Sequence, residues 1–76
     1  MALSERIREE VKRRREKTGL NQTQFSQVFD VPYGIVTRFE RGDRRVDIDL
    51  LEMYAKLFGT SVARLVQVCE AKNDES

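Results

Sequence analysis

The chain has 76 residues, 36% charged and 39% hydrophobic, with 14 Lys and Arg against 13 Asp and Glu and a formal net charge of +1. A chain this short buries only about 60% of its unfolded surface on folding, so one core and one domain are expected, over residues 1–72, with a frayed polar tail at 73–76. No stretch approaches the roughly 20 apolar residues of a membrane span and no apolar leader opens the chain, which predicts a cytoplasmic protein with no membrane partner. The absence of His and the single cysteine, Cys69, exclude disulfide scaffolds and Cys/His zinc sites and remove the commonest general base; neither an enzyme nor a cofactor is expected.

The near-neutral total hides an asymmetry. Residues 1–45 hold eleven Lys and Arg and seven Asp and Glu, a balance of +4, whereas residues 46–76 hold three and six, a balance of −3. Such polarity points to one basic face, the electrostatic footprint of a nucleic-acid partner.

Leu3, Ile7 and Val11 recur every four residues among charges, predicting an amphipathic first helix through Lys17 with Ser4 as its N-cap and Thr18-Gly19 as its stop. Glu9, Glu10 and Glu16 interleave with Lys12-Arg13-Arg14-Arg15 at helical ion-pair spacing, so this run reads as a solvated face. Asn21-Gln22-Thr23-Gln24 has the form of a capping box and opens a short second helix, Gln22 to Phe29, with Phe25, Val28 and Phe29 as its apolar stripe. Asp30-Val31-Pro32 ends it, because the residue before proline is pushed out of the α region.

Proline suits the start of the next helix, which runs from Tyr33 to Glu40 or Arg41 with Val36 and Phe39 inward and Gly42 as its stop. Asp47 or Asp49 caps a fourth helix carrying Ile48, Leu50, Leu51, Tyr54, Ala55, Leu57 and Phe58, ended by Gly59. Ser61 caps a fifth with Val62, Leu65, Val66, Val68 and Cys69. No stretch keeps the period of two that strands need, so the fold class is all-α, a five-helix bundle.

Two short helices joined by a tight turn, about residues 22–41, are what a helix-turn-helix requires. The run from Arg6 to Leu65 then resembles, without a gap, the helix-turn-helix domains of lambdoid phage repressors, Cro proteins and related XRE-type bacterial regulators. The resemblance rests on Arg6-Ile7-Arg8, Gly19-Leu20-Asn21-Gln22, Phe25-Ser26, Val31, Val36 to Gly42, Leu51, Tyr54-Ala55 and Leu57-Phe58-Gly59.

This resemblance implies a lambda repressor-like fold whose third helix enters the major groove, with Tyr33, Gly34, Thr37 and Arg38 meeting base edges. Arg38 leads these, because a guanidinium fork matches the O6 and N7 acceptors of guanine; its alternative is a solvated surface arginine. Phosphate contacts are implied for Gln22, at the start of the second helix, and for Arg41, Arg44 and Arg45 around the end of the third. Arg15 and Glu40 are implied to pair, buttressing the third helix against the first.

Three positions depart from the family pattern. Pro32 replaces a hydroxyl cap, Gly34 replaces a polar base-reading side chain, and Asp30 stands where glycine is usual in the turn, a place Asp tolerates because it enters the left-handed region more readily than most residues.

A domain of this kind reads half an operator, so a homodimer on double-stranded palindromic DNA is expected, acting as a repressor. The fifth helix has more apolar positions than one core stripe needs, and Val62, Val66 and Cys69 are expected at the dimer seam. No small-molecule ligand is expected. Two other readings keep the same body: an antitoxin that binds both DNA and a toxin protein, and a helix-turn-helix module used only for protein contacts.

Overall fold

A computed structural model describes residues 2–74, with side chains through residue 71. The described chain is five helices: α1 (Leu3–Lys17), α2 (Gln22–Phe29), α3 (Tyr33–Arg41), α4 (Ile48–Leu57) and α5 (Val62–Asp74). α1 packs on α5 and α3, α2 on α3, and α4 on α5. No strand is present among the described residues.

Local chemistry sets most of the boundaries. The Asn21 side chain accepts from the Gln24 amide at 2.8 Å while the Gln24 side chain accepts from the Asn21 amide at 2.9 Å, a closed capping box. Asp47, rather than Asp49, caps α4 by accepting from Leu50 N at 2.8 Å, and the Ser61 hydroxyl caps α5 by accepting from Arg64 N at 3.1 Å. α1 differs from expectation: it begins one residue before Ser4, with Ala2 at the cap position and no side-chain cap. α5 runs to Asp74, past Asn73 where fraying was expected; Glu75 and Ser76 lie outside the described residues.

The turn between α2 and α3 depends on Asp30, whose φ of 55° and ψ of 46° place a non-glycine residue in the left-handed region. Val31 N donates to Ser26 O, and the Ser26 hydroxyl donates to Val31 O, so the turn is tied back to α2 twice. Pro32 holds the cap position of α3 with no side-chain bond. Gly42 closes α3 at φ 92°, its N–H and that of Asp43 donating to Arg38 O.

The core gathers Ile7, Val11, Phe25, Val31, Val36, Phe39, Leu50, Leu51, Tyr54 and Cys69. Tyr54 is central: its ring lies 5.0 Å from that of Phe39, 6.0 Å from Phe58 and 6.3 Å from Phe25. Three residues placed on apolar stripes by periodicity face outward instead, Leu3, Val28 and Ile48. The reverse holds for Glu10. It sits inside the α1 packing, accepting from Arg13 and Arg14 one turn later, rather than on a solvated face.

Candidate nucleic-acid interface

The exposed side of α3 is held in place from behind by α1. Arg15 donates to Glu40 twice, Nε to Oε2 at 2.6 Å and Nη2 to Oε1 at 2.9 Å, and its Nη1 donates to Leu20 O at 2.8 Å. Both side chains are nearly sealed from solvent, at 8% and 3% exposure. The hydrogen bond to Glu40 raises the Arg15 pKa above its ordinary value against the opposing effect of burial, so the guanidinium stays charged. The fork-to-fork geometry fixes orientation as well as distance, which a lysine in the same place would not do.

A second arginine, one heptad earlier on α1, does related work. Arg8 Nη1 donates to Phe39 O at 2.8 Å, and its guanidinium lies 5.3 Å from the centroid of the Phe39 ring. Consecutive residues of α3 are therefore gripped by α1, one through its backbone carbonyl and one through its carboxylate. The role of Arg8 escaped sequence reasoning because a bond to a carbonyl 31 residues away leaves no mark in local spacing.

The residues expected to meet base edges fall on the solvent side. Tyr33 is half-exposed, Arg38 exposed, and Gly34 and Thr37 intermediate. The Thr37 hydroxyl donates to Gly34 O at 3.2 Å and keeps its acceptor capacity. Arg38 makes no hydrogen bond or ion pair among the described residues, whereas Arg8, Arg13, Arg14, Arg15 and Arg41 are all engaged. Arg38 as a whole is exposed, and none of its N–H donors is engaged by the described residues.

Beside this face lies an open cleft of about 410 Å³ lined by Lys12, Gln22, Tyr33, Thr37, Glu40 and Arg41. It brings the start of α2, the exposed side of α3 and one cation of α1 around a common space. Lys12 belongs to this cleft although its sequence context placed it on a solvated face; only the packing of α1 against α3 reveals it.

The residues expected to hold phosphates are less uniform. Gln22 Nε2 donates to Glu40 Oε1 at 3.0 Å, so the amide completes the Arg15–Glu40 pair into a three-residue cluster and keeps one N–H for other use. Arg41 reaches Asp43 at 2.6 Å, both side chains largely exposed. Arg44 is half-buried, with Nε enclosed and no hydrogen-bond partner for it among the described residues, while Arg45 is exposed. Of the residues expected at a dimer seam, Val62 and Val66 are half-buried. Cys69 is only 1% exposed within the single chain and packs into the core, so it has no surface to offer a partner.

Among the described residues, no three His, Cys, Asp or Glu side chains converge on a metal position, and no helix is long and apolar enough to cross a membrane. A family model described as helix-turn-helix matches residues 11–65, from the middle of α1 to Leu65 of α5. Neither curated proteins nor solved structures returned a match.

Proposed function

Because the chain belongs to this helix-turn-helix family, of the Cro/C1 type, we propose that it is a sequence-specific DNA-binding regulator that seats α3 in the major groove. The observation that carries this is the contrast within α3. Its inner side is fastened by Arg8 and Arg15 of α1, and its outer side presents Arg38 with every donor unengaged. Rigid support behind an uncommitted guanidinium is what base reading needs: donors fixed in position whose pairing energy is not already spent.

In this reading Arg38 pairs with guanine, worth about 1–3 kcal/mol of discrimination, while Thr37 and Tyr33 touch neighbouring edges. Arg45, the remaining Gln22 N–H, Arg41 released from its exposed pair with Asp43, and Lys12 at the cleft take backbone phosphates, which add affinity without sequence preference. Arg44 approaches the backbone with its outer nitrogens. Val62 and Val66 meet their counterparts in a homodimer, so that two α3 helices fall about one DNA turn apart on a palindromic operator, where occupancy excludes polymerase and represses transcription in the cytoplasm.

The decisive experiment is selection of bound duplexes from a random pool, followed by titration at two salt concentrations. The reading predicts enrichment of a twofold-symmetric site and affinity that falls steeply with salt. With that site, Arg38→Ala relaxes preference at one base pair per half-site, whereas Arg45→Ala weakens all sequences alike. No enrichment above the starting pool, or sedimentation as a monomer with and without the enriched duplex, would overturn it.

A further inference from the structure

Gly34 breaks two expectations at once: it costs helix stability by about 1 kcal/mol relative to alanine, and it removes a side chain from the face that meets bases. Its conformation gives no reason for glycine, since it is not among the residues of positive φ. The neighbour that a side chain here would meet lies four residues on. Side chains of a helix lean toward its N-terminus, so residue 38 covers the surface over residue 34. A Cβ built on Gly34 would stand 3.5 Å from Arg38 Nη2, 3.9 Å from Nε and 4.0 Å from Cζ. The guanidinium therefore rests where a side chain at position 34 would begin.

No other contact among the described residues draws it there. Arg38 makes no hydrogen bond or ion pair among the described residues, and the positive end of the α3 dipole repels a cation at the first turn. What the first turn offers it is room: Gly34 has no side chain, and the guanidinium lies within van der Waals reach of the place where one would start.

We propose that Gly34 is a specificity-determining residue acting as the seat of Arg38: by leaving the first turn of α3 bare it lets one guanidinium lie there and read a guanine from that turn. Positions 34 and 38 thus form a single reading group. A lone Cβ at 34 sits at ordinary van der Waals distance and is accommodated, whereas any longer side chain occupies the seat and pushes the fork off its place. This inference rests on the DNA-binding reading above, with one arm of its test independent of DNA.

Without DNA, the ¹⁵N relaxation of Arg38 Nε is compared with that of exposed Arg45 in the wild type, Gly34→Ala and Gly34→Leu. Arg38 Nε is expected to be more ordered than Arg45 Nε in the first two and equally mobile in the third. With the selected site, the ratio of affinities for the site and for a duplex altered at the Arg38-dependent base pair is measured, so that a uniform steric loss cancels. Gly34→Ala should hold this ratio within about threefold of the wild type, and Gly34→Leu should lower it at least tenfold, a change of about 1.4 kcal/mol, toward the value for Arg38→Ala. A wild-type Arg38 Nε as mobile as Arg45, or a Gly34→Leu variant with an unchanged ratio, overturns the seat. A wild type that discriminates no duplex overturns the DNA-binding reading instead, and the relaxation arm alone then decides whether the seat exists.

Discussion

At the scale of single residues, two buried polar groups behave oppositely. The Arg15–Glu40 pair is satisfied on both sides, so removing one partner leaves the other charged and enclosed. Arg15→Met should cost about 3 kcal/mol, and the double variant Arg15→Met with Glu40→Leu should recover most of that because no stranded charge remains. Urea unfolding of the four species checks both statements. Tyr54 is the contrary case, its hydroxyl enclosed with no hydrogen-bond partner among the described residues. Burial first, and the Glu40 carboxylate second, push its phenol well above the ordinary value, so the folded chain holds this proton when the unfolded chain releases it. Stability contributed through Tyr54 is thus intact below about pH 10 and lost as pH rises beyond it. Tyr54→Phe should flatten that alkaline loss and leave neutral stability unchanged or higher by up to about 1 kcal/mol, read from urea midpoints at neutral and alkaline pH. A large neutral-pH loss would mean the hydroxyl has a partner in solution. The pairing of Arg15 with Glu40 was legible through resemblance; the unsatisfied hydroxyl was not, because Tyr54 reads in sequence only as one more position on an apolar stripe.

At the scale of elements, ends were more legible than faces. The Asn21 capping box, the Ser61 cap and the stop at Gly42 were readable because each depends on residues within three or four positions of one another. Asn21→Ala should cost about 1 kcal/mol by removing the acceptor for Gln24 N, visible as a lower thermal midpoint. Asp30 predicts the reverse: its left-handed backbone costs an L residue energy that glycine avoids, so Asp30→Gly should stabilise by about 0.5–1 kcal/mol. A lower midpoint for Asp30→Gly would show that the carboxylate, not the backbone, governs the turn. Faces were read less well. Val28 stands one turn after Phe25, yet α2 is eight residues long and presents only a narrow strip to its neighbours, so Val28 is left outside. Ile48 is the first residue of α4 and projects before the packed part of that helix begins. Short helices offer too few turns for periodicity to say which residue of a stripe is covered.

At the scale of the whole molecule, charges from separate elements are brought together. Lys12 of α1, the first turn of α2 and Arg41 of α3 border one cleft although they span thirty positions of the chain. If this cleft receives a DNA phosphate, Lys12→Ala should weaken binding to every sequence similarly and reduce the slope of log affinity against log salt by about one. An unchanged slope would place Lys12 outside the contact. By itself the sequence determined the five helices, most of their caps and the position of the helix-turn-helix, because these follow from propensities and spacings within a few residues. It also determined the basic first part and the acidic second part, since charge is a property of residue identity. The tertiary structure alone decided that Cys69 belongs to the core rather than to a seam, that Gln22 completes the Arg15–Glu40 cluster, that Arg8 holds the carbonyl of Phe39 and that Lys12 faces the cleft. Each of these is a meeting of side chains from different helices, and burial and hydrogen bonding between helices are settled by packing angles that no local pattern encodes.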